Sequence, residues 1–218
     1  MSTFLNELDA NKLLSSFGIP MSKSFPCKTA EEALLVAEKL KFPVVMKILS
    51  PDIQHKTEAG CVFIGISSKE QVENTYKQIM KSAKEYNPGA VIDGVLIQEM
   101  AEKGLEIIVG MKKDPQFGPV IMVGSGGIYV EVFKDIALRL LPIDRYEAER
   151  MLTETKAYQI MNGARGKTYD MEKLIEVLLG VSRLVQENDS IEEIDINPFF
   201  VYEKGKGGKG VDALIKVR

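Results

Sequence analysis

Lys47 stands inside the apolar run Val44-Val45-Met46-Lys47-Ile48-Leu49. An ammonium in a buried strand is costly unless it meets an anion, so this lysine either contacts a phosphate or snorkels to solvent from a strand end. The following 11-residue segment, Ser50 to Gly60, holds His55, the chain's one histidine, among Asp52, Lys56, Thr57 and Glu58. That segment is too long for a plain hairpin turn. Its histidine lies on no apolar helix face, which leaves a solvated loop residue or a functional one. Near the other end runs Glu192-Glu193-Ile194-Asp195-Ile196-Asn197-Pro198. Strand alternation sends Ile194 and Ile196 to one face and Glu193, Asp195 and Asn197 to the other. This row of oxygens, with Asp212 on the returning arm of a hairpin, is either a seat for Mg²⁺ or the acidic solvent face of an edge strand. A fourth feature is the glycine cluster Gly124-Ser125-Gly126-Gly127 after the strand-like Pro119 to Val123. Its amides can approach a ligand closely, but it lacks the lysine and following helix of a P-loop, and a tight turn explains it as well.

The elements that must position these residues are legible from periodicity and caps. Phe4, Leu5, Leu8, Leu13, Leu14 and Phe17 predict a leading helix that stops at Gly18-Ile19-Pro20. Thr29-Ala30-Glu31-Glu32 is a capping box for a second helix, which feeds the strand carrying Lys47. Cys61 to Ile66 reads as a strand, and Ser68-Lys69-Glu70-Gln71 caps a helix to about Tyr86. Further strands are expected at 91–99, 105–111, 119–123, 128–132 and 136–141, a short helix capped at Asp144, and a longer helix over Leu174 to Val185. Ile191 to Val201, the tip KGKGGKG and Val211 to Val217 form a terminal hairpin. Helices and strands mix without strict alternation, which favours two α+β lobes, divided near residue 100, over a doubly wound sheet.

Composition narrows the function classes. The 218 residues are 45% hydrophobic, enough for a sizeable core, and the net charge of −3 disfavours a nucleic-acid partner. No uncharged run reaches the ~20 apolar residues of a membrane helix. The start, MSTFLNELDA, carries acids before any lysine, unlike a signal peptide. Cys27 and Cys61 have no framework spacing and read as reduced thiols of a cytoplasmic chain.

Taken together, a strand lysine, a loop after it, a glycine cluster and a late acidic hairpin suggest a magnesium nucleotide held between two lobes. The segments FPVVMKILSPDIQHKTEAGCV, VLIQEMAEKGLEIIVGMKKDPQFGPVIMVGSGGIYVEVFKD and EIDINPFFV resemble the ATP-grasp beta subunit of ADP-forming acetyl-CoA synthetases, which are acid:CoA ligases. The likeness covers almost the whole chain and extends more distantly to the succinyl-CoA synthetase beta subunit. It implies an α+β ATP-grasp fold, with lobes 1–100 and 101–218 and ATP/ADP and Mg²⁺ between them. It also implies a partner alpha subunit that binds CoA and the acyl group, in an alpha2beta2 assembly. By the same likeness Lys47 contacts the phosphates, the backbone of Glu99, Met100 and Ala101 meets adenine, Glu106 reaches the ribose, and Asn197 and Asp212 hold the metal. His55 matches the phosphate-carrying histidine, and Asp195 would orient its imidazole. Cys61 departs from the pattern, standing where a second glycine is expected after Gly60. Two rivals are an ATP-grasp carboxylate–amine ligase, which needs no histidine carrier, and a non-catalytic nucleotide-binding subunit.

Overall fold

The computed structural model describes residues 2–53, 55–127, 135–164 and 166–218. In chain order its elements are β1 (Thr3–Phe4), α1 (Glu7–Ser16), β2 (Ser24–Cys27), α2 (Ala30–Leu40), β3 (Val44–Leu49), β4 (Val62–Ile66), α3 (Lys69–Tyr86), β5 (Gly94–Glu99) and β6 (Leu105–Asp114). There follow β7 (Gly118–Ser125), β8 (Ile136–Leu140), α4 (Arg145–Thr153), α5 (Lys156–Met161), α6 (Met171–Glu187), β9 (Ile191–Val201), β10 (Gly208–Gly210) and β11 (Ala213–Val217). Every pairing between these strands is antiparallel, so the sheets are not doubly wound.

The chain divides into two compact units, one of Ser22–Met100 and one of Met1–Met21 together with Ala101–Arg218. The expectation that residues 1–100 form one lobe is therefore corrected for the first 21. β1 pairs with β11, Thr3 opposite Val217, and Ala10, Leu14 and Ile19 are buried in the same core as Leu178 and Val181 of α6. Their apolar side chains take part in that core and not in the one formed by residues 22–100.

In the Ser22–Met100 unit the sheet order is β2-β5-β3-β4. Helices α2 and α3 bury Ala33, Ala37, Val72, Ile79 and Ala83 with Met46, Ile48, Val95 and Ile97 of the sheet. Both helices start on caps visible in the sequence. Thr29 Oγ1 accepts the Glu32 N–H at 3.2 Å while the Glu32 carboxylate accepts from Lys28 N at 2.7 Å. Ser68 and Gln71 repeat the arrangement one helix later, with the Gln71 side chain accepting from Ser67 N. The strand expected from Val91 starts only at Gly94, whose φ of +141° and close approach to the Cys27 carbonyl require a residue without Cβ.

The other unit holds a seven-stranded sheet, ordered β1-β11-β9-β6-β7-β8 with β10 added on β9. Val109, Met111, Ile121, Val123, Ile194, Ile196 and Ile215 share one core with apolar residues of α1, α4, α5 and α6. The leading helix is shorter than expected, since Asn6 caps it through Asp9 N and Phe4 belongs to β1. Neither β2 nor α5 was foreseen, and the strand expected at 128–132 lies outside the described residues. Among the described residues no helix is long and apolar enough to cross a membrane.

Candidate functional site

The Ser22–Met100 unit carries Lys47, His55, Glu99 and Met100. Lys47 occupies the middle of β3, opposite Val62 on β4 and Leu96 on β5, and is 4% exposed. Alternation sets it, with Val45, on the face opposite Met46 and Ile48, which pack with the helices. It does not snorkel from a strand end.

His55 has an imidazole 74% exposed, with Nδ1 3.9 Å from Glu58 Oε1. Its loop is anchored on both sides. Before it, Ile53 is fully buried, Asp52 Oδ2 accepts from Val91 N at 2.7 Å and Ser50 Oγ donates to Val91 O at 2.6 Å. After it, Ala59 N donates to His55 O and Cys61 N to Lys56 O, at 3.0 and 2.8 Å. Cys61 is wholly buried, its Sγ donating to Ala59 O, so the departure from a second glycine adds an anchor where the loop rejoins the sheet. Burial raises its thiol pKa, and pushes that of Cys27 up to about 11, so both stay protonated and inert.

Glu99 ends β5 with its carboxylate accepting from Lys23 N at 2.9 Å, while Glu99 N donates to Lys23 O at 2.9 Å. The side chain and the amide of Glu99 are thus both committed to Lys23, just before β2, and Met100 after it is exposed.

Ala101, Glu106, Asp195, Asn197 and Asp212 belong to the second unit. Ile194 and Ile196 are buried in the core, and Asp195 and Asn197 lie on the opposite side of β9. Asn197 N donates to Asp212 O at 3.1 Å, and Leu214 stands opposite Asp195, so β9 and β11 bring the three predicted residues together. Burial raises the Asp195 pKa, and the fields of Asp212 and Glu193 add to it. Carboxylates that disfavour one another's charge in this way fit a bound cation. Among the described residues no three His, Cys, Asp or Glu side chains gather into a metal cage. Two carboxylates and an amide suit Mg²⁺, which keeps coordination places for water and phosphate oxygens.

Glu106 lies exposed near the start of β6, and its carbonyl accepts from Gly126 N at 2.7 Å. Gly124 and Ser125 of the glycine cluster thus belong to β7 and Gly126 is bonded to β6, while the residues that follow Gly127 lie outside the described residues. Sequence reasoning missed Asp135, a buried carboxylate that accepts from Ser125 Oγ, Lys156 N and Ala157 N. Its partners lie 10 to 22 residues away, so no local pattern announces it.

An ATP-grasp domain profile matches residues 1–217. The chain belongs to the ATP-grasp family. It is 45% identical to the beta subunit of an ADP-forming acetate–CoA ligase II from Pyrococcus furiosus, across 98% of this chain and 91% of that one. It is 44% identical to an ADP-forming 4-hydroxybutyrate–CoA ligase from Nitrosopumilus maritimus, covering 97% of this chain but 30% of that longer one. An acetyl-coenzyme A synthetase 1 from Ca. Korarchaeum cryptofilum, solved with coenzyme A and Mg-AMPPCP and with its phosphohistidine segment pointing towards the nucleotide-binding site, superposes with a TM-score of 0.84. That match has 38% identity over 99% of this chain and 93% of the other.

Proposed function

We propose that the chain is the nucleotide-binding beta subunit of an ADP-forming acyl-CoA synthetase, acting with a CoA-binding alpha subunit in an alpha2beta2 assembly. The observation that carries this reading is His55, the sole histidine, exposed on a loop anchored at both feet, in a chain that spans nearly the whole of a ligase beta subunit. In the direction of ATP use, an imidazole nitrogen attacks the γ-phosphorus. The P–N bond forms as the P–O bond to ADP breaks, and the partner subunit's chemistry later removes the phosphoryl group. A neutral imidazole, pKa about 6.5 when unperturbed, is a fair nucleophile at neutral pH, and once protonated it leaves well, so one residue can both accept and give phosphate.

Lys47 neutralises phosphate oxygens, the backbone of Glu99, Met100 and Ala101 meets adenine, and Glu106 accepts from the ribose hydroxyls. Asn197 and Asp212 would hold Mg²⁺, which offsets charge on the transferring phosphoryl group when bound. Asp195 would orient the imidazole and stabilise the charge that develops on it.

The test supplies labelled ATP and Mg²⁺ to the chain with its alpha subunit. An acid-labile, base-stable phosphate should appear on this chain and vanish with His55→Ala, while nucleotide affinity stays nearly intact. Turnover surviving His55→Ala at near wild-type rate would reject the carrier and favour direct acyl-phosphate formation. Asp195→Ala should slow labelling without moving its site.

A further inference from the structure

We infer that the Gly126–Gly127 turn is a positioning element that fixes the Glu106 carboxylate for the ribose of the nucleotide, an inference that rests on the ribose role proposed for Glu106. Gly126 N donates to Glu106 O at 2.7 Å. A Cβ on Gly126 would lie 2.8 Å from both the carbonyl carbon and the Cβ of Glu106, and one on Gly127 would lie 3.0 Å from Glu106 Oε2. Two successive glycines therefore pass flat against the backbone and then the carboxylate of a single residue. Gly127 also has a φ of +65°, which favours glycine on its own account.

The turn is anchored from behind. Ser125 N donates to Asp135 O at 3.1 Å, and the buried Asp135 carboxylate accepts from Ser125 Oγ and from the first two amides of α5. Gly124 joins the fit, since a Cβ there would stand 2.4 Å from Asp135 O. An exposed glutamate is ordinarily free to sample many rotamers. Here one side of it is walled by a backbone whose register is locked to α5, so the carboxylate meets a ligand with less freedom to lose. The ligand class is a nucleotide with intact ribose hydroxyls. Gly126 and Gly127 act on the nucleotide through Glu106, and both are positioning residues.

Calorimetry on the full chain with Mg-ADP and Mg-2′,3′-dideoxy-ADP tests it. Glu106→Ala should weaken Mg-ADP about tenfold and leave the dideoxy analogue unchanged, as expected for a charged hydrogen-bond acceptor lost. Gly126→Ala and Gly127→Ala should each weaken Mg-ADP by about threefold or more, spare the analogue, and add little in a Glu106→Ala background. Gly127→Ala, whose methyl among the described residues would meet only the Glu106 carboxylate tip, keeps the test open should Gly126→Ala fail to fold. Glycine variants that weaken both nucleotides alike, that leave Mg-ADP unchanged, or whose effects add fully to Glu106→Ala overturn the inference while the ribose role stands. Glu106→Ala without effect on Mg-ADP overturns the ribose role, and the inference with it.

Discussion

Lys47 sits on a strand whose six residues are all buried, so its ammonium is placed by the packing of Met46 and Ile48 behind it. Lys47→Met, which keeps the stem and removes the charge, should leave the fold intact and weaken Mg-ADP at least tenfold, about 1.4 kcal/mol. Unchanged affinity by calorimetry would remove the phosphate assignment. For the metal, Asn197→Ala and Asp212→Ala should each raise the Mg²⁺ concentration needed for half-maximal phosphate transfer, with normal titrations in both variants returning that face to solvent. The oxygen row of β9 was legible because alternation is a local property: Ile194 and Ile196 announce which way Asp195 and Asn197 point. The link between Glu106 and the glycine turn was not, because it arises from the register of β6 on β7, Ile107 opposite Ser125.

Three helices were readable from their caps. α2, α3 and α4 begin one residue after Thr29, Ser68 and Asp144, each accepting from an amide three residues on. β2 was missed because Ser24–Cys27 includes a proline and has almost no pattern of its own; it exists by pairing with β5. That pairing runs past Gly94, where a Cβ would fall 2.3 Å from the Cys27 carbonyl. Gly94→Ala should therefore destabilise the Ser22–Met100 unit by roughly 2 kcal/mol or more, read as a lowered denaturant midpoint. On the other sheet Arg139 of β8 binds Glu147 and Glu154 of and beside α4, at 2.6 Å to each. The Glu154 pKa is lowered, first by the hydrogen bond from Arg139. A lowered folded pKa means stability present above the ordinary 4.5 and lost as pH falls through the folded value. Arg139→Met should lower the melting temperature near neutral pH and narrow its gap to the parent as the pH falls below 4.5, measured by calorimetric scans.

At the scale of the molecule, residues 1–21 belong with 101–218, an assignment that no window of sequence contains. Leu14 is fully buried in the core of that unit. Leu14→Ala should cost about 2 to 5 kcal/mol there and leave the stability of the Ser22–Met100 unit unaltered. Two melting transitions, of which one moves, would separate the units; a shift of both would reject their independence. The two-lobed α+β class was readable from mixed, non-alternating elements, whereas the split path of the second unit was not.

The pairing of Thr3 with Val217 also orders events during synthesis. Translation makes β1 and α1 before the Ser22–Met100 unit, and makes β11, the strand that pairs with β1, only after it. The Ser22–Met100 unit has all its strands in one stretch and can close while translation continues. Meanwhile Ala10, Leu14 and Ile19 remain without most of the core they will enter, and β1 waits for a partner made after the whole Ser22–Met100 unit. Until Lys216 and Val217 have been made, Thr3 and Phe4 lack the strand they pair with, an interval that the finished fold conceals.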